Sequence, residues 1–400
     1  MQLSNRINNL KTSPVRKLLP FAEIAKKKGT KIIHLNIGQP DINTPPIFYD
    51  AIVEYTKNEK ILSYAHSAGL IELRQEIVQY FADYHIDYTV DEVMIVNGGS
   101  EAFQFVLTAL FDEGDEILVP EPFYANYQSF FSMLNIGVRS IPTKAVDGFH
   151  LPSLEEMEKY ITSKVKAIMF SSPSNPTGTV YTREETEIII ALAEKYDITI
   201  ISDEVYREFA YGDIKAISFG EYPEIAQRVV IIDSISKRFS VCGARIGCVV
   251  SKNKELMSAI YRQCQARLAA PTLEMVGARA LYTLSADFFI PIREEYSLRR
   301  DTLFEELHKI EGVFARKPEG AFYCLVGLPV DNAEDFASWL LSEFDLNGET
   351  IMVAPAEGFY STRGEGRNEI RICYALERDV LIRAMNILKE GLKAYKKLNK

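Results

Sequence analysis

Five apolar runs, most of them rich in β-branched residues, each end abruptly in a loop of glycine or polar residues. They are EVMIV (92–96), EILVP (116–120), AIMF (167–170), ITIIS (198–202) and VVIID (229–233). Short continuous apolar runs of this kind predict fully buried strands. An open α/β sheet places its chemistry in the crevice beyond the carboxyl ends of such strands. The residues that follow these runs are therefore the first candidates for a functional site.

The loop after VVIID contains a lysine in a setting suited to chemistry. The stretch SISKRFSVCGARIG (234–247) carries Lys237, with Ser234 and Ser236 before it and Arg245 after it. Hydroxyl and guanidinium donors suit an anionic group held beside a reactive amine. Most lysines are solvated surface charges, so this stretch alone leaves a catalytic role and a surface role both open.

A second loop has the features of an anion site. Gly98 and Gly99 allow a tight turn from a strand into a helix, and Ser100 and the next amides lie at the helix N-terminus. Unpaired N–H groups and the helix dipole favour an anion there. The dinucleotide and P-loop fingerprints are absent. Glu101 is either a helix-dipole residue or part of the rim of this site.

Three further strand ends carry polar or aromatic candidates. Tyr124 follows EILVP, Asn175 lies in SNPTG (174–178), and Asp203 and Tyr206 follow ITIIS. A carboxylate directly after a buried strand needs either solvent or a cationic partner. The same loops are also typical of ordinary connections between strands and helices. Tyr127 is predicted to pack in the core.

The pattern around Lys237 resembles the pyridoxal-phosphate attachment signature of the class I and II aminotransferases. That signature is a small residue, any residue, a small residue, Lys, and then a small-residue segment ending in Arg, an aliphatic residue and Gly, and every position is filled. NIGQPD (36–41) and SNPTG resemble two other segments of the family. The resemblance covers nearly the whole chain and implies an α/β fold of the fold-type I transferases. A large domain (46–310) is expected to hold a mostly parallel mixed sheet between helices, and residues 1–45 and 311–400 a smaller α+β domain.

The resemblance also implies a role for each candidate. Lys237 would form a Schiff base with pyridoxal 5′-phosphate and move the substrate α-proton, Asp203 would pair with the pyridine nitrogen, and Tyr206 would bond the phenolic oxygen. The other implied cofactor contacts are Gly99, Ser100, Glu101, Tyr124, Asn175, Ser234, Ser236, Arg245 and, from a second subunit of a homodimer, Tyr64. The implied substrate contacts are Gly38, Asn175, Arg371 for the α-carboxylate and Arg267 for a distal carboxylate.

Three of these residues also have an ordinary structural interpretation. Gly38 suits a simple turn, and Tyr64 suits half-buried packing. Arg267 could be an ordinary surface or interface arginine, and the alignment is weakest there. Arg371 lies within the strand-like EIRIC, where an unpaired guanidinium is costly, so it needs an anionic or polar partner.

Composition excludes several other classes. A net charge of −10 argues against general nucleic-acid binding, since neutralising phosphates needs clustered Lys and Arg. The five cysteines are scattered and lack metal-ligand spacing, which predicts reduced thiols and no metal site. We find neither a signal-peptide pattern nor an apolar run of membrane-spanning length. A soluble cytoplasmic protein with small-molecule partners is expected.

The implied reaction is ping-pong transamination between an amino acid and a 2-oxo acid. The order of the segments looks most like the aspartate aminotransferase group, and Arg267 favours a dicarboxylate, so aspartate and 2-oxoglutarate are the expected substrates. Alternatives are an aminotransferase for alanine, aromatic or other amino acids, and a carbon–sulfur β-lyase, because one fold hosts several chemistries. A cofactor-binding regulator with a DNA-binding extension is disfavoured, because few residues precede NIGQPD.

Overall fold

Helices and strands alternate along most of the chain in the computed structural model, which describes residues 1–8, 10 and 13–398. The strands are β1 (Lys31–His34), β2 (Val93–Val96), β3 (Glu116–Glu121), β4 (Gly137–Pro142), β5 (Val165–Ser171), β6 (Thr199–Asp203), β7 (Val229–Ser234), β8 (Gly247–Val250), β9 (Phe314–Ala315), β10 (Tyr323–Gly327), β11 (Glu349–Met352), β12 (Ala354–Pro355) and β13 (Glu369–Cys373). The helices are α1 (Asn5–Asn8), α2 (Leu19–Lys27), α3 (Pro46–Asn58), α4 (Ile71–Ala82), α5 (Gly98–Leu110), α6 (Ala125–Leu134), α7 (Leu154–Glu158), α8 (Arg183–Tyr196), α9 (Ile235–Arg238), α10 (Lys254–Arg267), α11 (Thr272–Tyr282), α12 (Phe289–Leu307), α13 (Ala333–Ser342) and α14 (Arg378–Leu398).

The main sheet has seven strands in the order β2-β8-β7-β6-β5-β3-β4. Strands β3 to β7 run parallel to their neighbours, and β8 is antiparallel to both β2 and β7. All five apolar runs of the sequence lie in this sheet. The prediction of a mostly parallel mixed sheet between helices is confirmed.

Both faces of the central part of the main sheet are buried, which explains why a strand such as β7 carries apolar residues on both sides. In β7, Val229 and Ile231 pack into one apolar cluster, while Val230 and Ile232 pack into the cluster on the opposite face. Successive side chains of a strand point to opposite faces, so a strand covered on both sides cannot show the alternation of a half-exposed one.

A smaller unit combines a four-stranded antiparallel sheet, β12-β13-β10-β9, with the parallel pair β1-β11. Because β1 pairs with β11, residues near both ends of the chain contribute to this unit. Its apolar cluster also takes in Tyr296 and Leu303 of α12. The division into 46–310 and 1–45 with 311–400 stays a prediction, and residues 9, 11, 12, 399 and 400 of the smaller part lie outside the described residues.

Among the residues described, we find no helix that combines the length and apolarity needed to cross a bilayer. Within the same ranges, no group of three or more His, Cys, Asp or Glu side chains is arranged to hold a metal ion.

Candidate active site

A cavity of about 490 Å³ lies beyond the carboxyl ends of β5, β6 and β7, and its lining also includes residues of the smaller unit. Most of the site residues predicted from the sequence meet there although they are far apart in the chain. The predicted residues in its lining are Gly38, Gly99, Ser100, Tyr124, Asn175, Asp203, Tyr206, Ser234, Ser236, Lys237, Arg245 and Arg371. Tyr64, Glu101 and Arg267 lie outside this lining.

Lys237 lies on the short helix α9, directly after β7. Its Nζ donates a hydrogen bond of 2.5 Å to the carbonyl of Gly38 and is 3.8 Å from the Cys242 sulfur. Burial lowers the pKa of the Lys237 amine, because the charged form loses hydration. A lysine with a lowered pKa is more often present as the free amine, which is the form that acts as nucleophile or base.

The residues on either side of Lys237 are held rigidly. Arg238 donates a 2.6 Å hydrogen bond to Asp233, and both side chains are fully buried. Ser234 caps α9 by accepting from the Ser236 amide. These contacts fix the backbone from which the lysine projects.

Asp203 ends β6 as a buried carboxylate without an ion pair to any described residue. Its Oδ2 accepts a hydrogen bond from the Tyr127 hydroxyl, and its Oδ1 accepts from the Val205 amide at 3.2 Å. Burial raises the pKa of Asp203 to about 6, although the Tyr127 hydrogen bond opposes this rise. A protonated ring nitrogen is the kind of cation that such a carboxylate lacks.

The turn before α5 forms an anion cradle with Arg245. Gly98 has a φ of +73°, and a Cβ at this position would overlap the Arg245 guanidinium, so only glycine allows this approach. Arg245 lies 3.4 Å from the Ser236 hydroxyl. Gly99 and Ser100 line the cavity at the N-terminus of α5. Helix amides, hydroxyls and a guanidinium together suit a phosphate group.

Arg371 is buried in β13 and points two of its nitrogens at polar groups. Its Nη1 donates to the Asn175 side chain at 3.0 Å and its Nη2 donates to the carbonyl of Asn36 at 2.7 Å. Its Nε is buried without a hydrogen-bond partner among the described residues. A buried donor left unpaired is costly, so this guanidinium has capacity for an anionic acceptor.

The tyrosines of the site come from three parts of the chain. The Tyr206 and Tyr323 hydroxyls are 2.8 Å apart, and the Arg371 guanidinium lies 4.5 Å from the centre of the Tyr323 ring. Gly38 packs against this ring so closely that a Cβ would overlap the Tyr323 hydroxyl. Tyr124 accepts a 2.9 Å hydrogen bond from the Asn126 side chain. The closeness of Tyr323 shows why position 38 requires glycine.

Glu101 and Arg267 form an ion pair with each other, and Glu101 lies in the first turn of α5, where the helix-dipole interpretation places it. The Glu101 carboxylate accepts two hydrogen bonds from Asn97, at 2.7 and 2.9 Å, and lies 3.2 Å from Arg267 Nη1. Arg267 also donates to the carbonyl of Ile95 at 3.1 Å. Glu101 therefore supports the turn at the start of α5. Arg267 is ion-paired within its own chain, although its Nε and Nη1 have no hydrogen-bond partner among the described residues.

Tyr64 lies on the surface between α3 and α4, where it is 83% exposed. This exposure contradicts the half-buried packing role considered from the sequence. Ile61 and Leu62 beside it are also exposed, at 75% and 62%. Tyr64 therefore lies outside the cavity of its own chain.

Several site residues were missed by reasoning from the sequence. Tyr127 is fully buried as predicted, yet its hydroxyl holds Asp203, and its position one helical turn after Tyr124 was an available signal. Asn36 precedes the glycine turn directly and was also within reach. Nothing local distinguishes Tyr323 or Cys242 from ordinary core residues.

The residues present fit pyridoxal 5′-phosphate, the cofactor that the sequence implies. The cradle around Arg245 suits its phosphate, the ring of Tyr124 suits a flat aromatic group, and the uncompensated Asp203 suits a protonated pyridine nitrogen. Lys237 supplies an amine for its aldehyde. This donor set would hold the cofactor with its aldehyde carbon toward Lys237.

Comparisons with known proteins extend over nearly the whole chain. A family model described as aminotransferase class I and II matches residues 30–388. A probable aspartate/prephenate aminotransferase from Aquifex aeolicus is 32% identical over 394 residues, which cover 98% of this chain and 98% of that protein. A single mutant of Thermus thermophilus aspartate aminotransferase is similar in structure, with a TM-score of 0.89 and 27% identity over 98% of this chain and 100% of the other. An alanine aminotransferase from Pyrococcus furiosus has a TM-score of 0.89 and 29% identity over the same shares.

Proposed function

The chain belongs to the class I and II aminotransferases, which depend on pyridoxal 5′-phosphate, and we propose that it transfers the amino group of aspartate to 2-oxoglutarate. The observation that carries a transaminase role is the buried Arg371, which lines the cavity that holds Lys237, pairs with Asn175, and has an Nε without a hydrogen-bond partner among the described residues. The relatives named for aspartate support the choice of donor, although an alanine aminotransferase is about equally similar in structure.

In this mechanism the cofactor supplies an electrophilic carbonyl carbon and an electron-withdrawing ring. Arg371 and Asn175 bind the substrate α-carboxylate and so direct the Cα–H bond toward Lys237. The Lys237 amine removes the α-proton as a base and, as an acid, would deliver it to the former carbonyl carbon of the cofactor. Burial favours its neutral form.

The other residues keep the reacting groups in position. Asp203 would hold a proton on the ring nitrogen, and Tyr127 keeps that carboxylate oriented by its hydrogen bond. Tyr206 would donate from its hydroxyl to the phenolic oxygen. The carbonyl of Gly38 accepts from Lys237 Nζ and holds the amine at the substrate side of the cavity.

A panel of amino donors tests the proposed function. The cofactor-loaded enzyme is incubated with aspartate and 2-oxoglutarate, and oxaloacetate and glutamate are expected in equal amounts. If alanine or an aromatic amino acid is converted faster than aspartate, that amino acid is the preferred donor and the proposal for aspartate is wrong. Release of pyruvate and ammonia from cystathionine without a 2-oxo acid would identify a β-lyase instead.

Arg371→Lys is expected to lower kcat/KM for every amino donor by about 100-fold, mainly through a higher KM. A lysine cannot form the two parallel bonds of a guanidinium, and charged hydrogen bonds contribute about 1.5–3 kcal/mol each. Steady-state kinetics measure the change, and cofactor absorbance should be retained. Arg367→Lys, at an exposed position outside the cavity lining, is the matched control. A change within threefold for Arg371→Lys contradicts the clamp.

We also propose a homodimer in which Tyr64 reaches the cofactor phosphate of the neighbouring subunit. Its exposure, together with that of Ile61, Leu62 and Leu268 (53%), supports a contact surface at this place. Leu268 follows α10 with a φ of +83° and a ψ of −91°, a strained conformation of the kind that often marks a functional contact.

Tyr64→Phe is expected to weaken cofactor affinity about tenfold, because one hydroxyl–phosphate hydrogen bond is lost. Equilibrium dialysis of the cofactor measures the affinity, and sedimentation equilibrium gives the assembly. Tyr49→Phe, at another exposed tyrosine, serves as control. A monomeric protein with unchanged affinity would disprove the shared site.

A cytoplasmic location is proposed on the state of the cysteines. Cys242, Cys248, Cys264, Cys324 and Cys373 are all unpaired. Free thiols persist in reducing compartments, whereas oxidising ones favour disulfides.

A further inference from the structure

The side chains that line the active-site cavity include three arginines, Arg16, Arg245 and Arg371, and one carboxylate, that of Asp203. The amine of Lys237 is also in the lining, but burial disfavours its charged form. This excess of arginine contrasts with the net charge of −10 of the whole chain. Arg245 would face the cofactor phosphate and Arg371 the substrate α-carboxylate, so Arg16 is the lining arginine to which neither role is assigned.

The backbone around Arg16 is anchored at the cavity. The Asn36 side chain donates a 2.9 Å hydrogen bond to the carbonyl of Val15, and Lys17 forms an ion pair with Glu334. Asn36 also accepts, through its own carbonyl, from the clamp arginine. The segment is therefore tied directly to the residues that would hold the α-carboxylate.

Buried neighbours on both sides strengthen this anchoring. Leu18 is 1% exposed within the apolar cluster of the smaller unit, and Pro14 packs against Gly358 so closely that a Cβ there would lie 2.8 Å from it. Only Arg16 of the charged residues in this segment lines the cavity, since Lys17 turns to Glu334.

The guanidinium of Arg16 is free to bind a ligand. It has neither an ion pair nor a side-chain hydrogen bond to the residues within 1–8, 10 and 13–398, and its side chain is exposed. Arg267, by contrast, is paired with Glu101 and lies outside the lining. The positive charge of Arg16 acts on Tyr124, another residue of the cavity lining. Burial raises the pKa of Tyr124, and the charge of Arg16 opposes that rise.

We propose that Arg16 binds a second anionic group at the distal end of the substrate side chain, so that the enzyme takes amino acids and 2-oxo acids with a distal carboxylate or phosphate. This inference rests on the proposed transaminase function and names its substrate class. A guanidinium binds either anion through two parallel hydrogen bonds. When the substrate has an apolar side chain, the guanidinium of Arg16 stays hydrated. Such a substrate therefore gains no binding affinity from this residue.

Binding of unreactive acids to the cofactor-loaded enzyme tests the proposal without relying on turnover. Titration calorimetry compares succinate, which has two carboxylates, with butyrate, which has the same length and one carboxylate. Arg16→Met should weaken succinate binding about 30-fold and butyrate binding less than threefold, as expected for loss of charged hydrogen bonds. Arg16→Lys should retain part of the preference. Replacing succinate by 3-phosphonopropionate shows whether a distal phosphonate or a carboxylate binds more tightly.

Two variants serve as comparisons. Lys27→Met removes an exposed cation of α2 that lies outside the cavity lining, and it should keep the preference of the wild type for succinate. Arg267→Met tests the arginine that the sequence suggested. If Arg267→Met removes the preference while Arg16→Met keeps it, the proposal for Arg16 is overturned.

The remaining outcomes also decide the question. Equal loss of succinate and butyrate binding in Arg16→Met and in a second neutral variant, Arg16→Gln, would mean a general disturbance and would overturn the proposal. An unchanged succinate affinity would do the same. If the wild type fails to convert aspartate while its preference for succinate depends on Arg16, the proposed function fails and the distal anion site stands; the reverse pattern removes the site and keeps the function.

Discussion

Lys237→Ala should lower kcat/KM for transamination by about 10⁴-fold or more, because it removes both the nucleophile and the proton-transfer group. The visible absorbance of the bound cofactor should shift to that of the free aldehyde, because the cofactor can no longer bond to this amine. Absorbance spectra and steady-state kinetics on the same preparation measure both effects. The cofactor should still bind, because the cradle around Arg245 and the partner of its ring nitrogen, Asp203, are unchanged.

Two controls separate this result from misfolding. Lys254→Ala, at an exposed lysine outside the cavity lining, should match the wild type. Added methylamine should restore part of the activity of Lys237→Ala, since a small amine can enter the space left by the side chain and accept the α-proton. Full turnover with an unaltered spectrum would show that Lys237 is not the reactive amine.

Asp203→Asn should lower kcat by about 10³-fold. A carboxylate near a ring cation contributes on the order of 4 kcal/mol at about 4 Å in a medium of effective dielectric about 20, and each ~1.4 kcal/mol is tenfold in rate. Single-turnover kinetics with the amino donor isolate the step that this charge assists. Asp213→Asn, at an exposed position, is the matched control. A loss of less than tenfold would mean that Asp203 does not hold the ring nitrogen in its protonated form.

Although Asp203→Asn lowers activity, it should stabilise the cofactor-free protein at high pH. The pKa of Asp203 is raised to about 6 from an ordinary 3.8, so folding favours its neutral form. The folded protein keeps its full stability at pH values below 3.8, where the carboxyl of Asp203 is neutral in both the folded and the unfolded chain. This stability is lost as the pH rises through about 6, and the buried ionised carboxylate then lowers the free energy of unfolding by roughly 3 kcal/mol. The midpoint temperature of thermal unfolding should therefore be higher for Asp203→Asn than for the wild type at about pH 8, and close to that of the wild type at about pH 4.5. An equal offset at both pH values would exclude this cause.

The fold and the central residues were predictable because their signals are local. An apolar run followed by a polar loop places Asp203 and Lys237 at the carboxyl ends of strands, and parallel strands bring those ends to one edge. Asn175 follows from the same logic. These residues needed no knowledge of which distant side chains they contact.

Tyr127 and Tyr323 show the limit of that reasoning. The ring of Tyr127 reads as core and is buried as such, yet its hydroxyl orients Asp203. Tyr323 comes from the smaller unit and explains why Gly38 must be glycine. Both roles depend on contacts between segments far apart in the chain, which periodicity and spacing do not report.

By itself, the sequence determined the α/β architecture and placed the glycine turn of Gly98 and Lys237 at the ends of strands, because strand periodicity and position at a strand end are local properties. The cofactor roles of these residues came from the family resemblance and stay predictions. Only the tertiary structure distinguished the two arginines proposed for the far end of the substrate. Arg267 forms an ion pair with Glu101, whereas Arg16 lines the cavity without an ion pair to any residue that the structure describes. The availability of a guanidinium depends on the charges that folding places beside it, and a linear pattern does not contain that information.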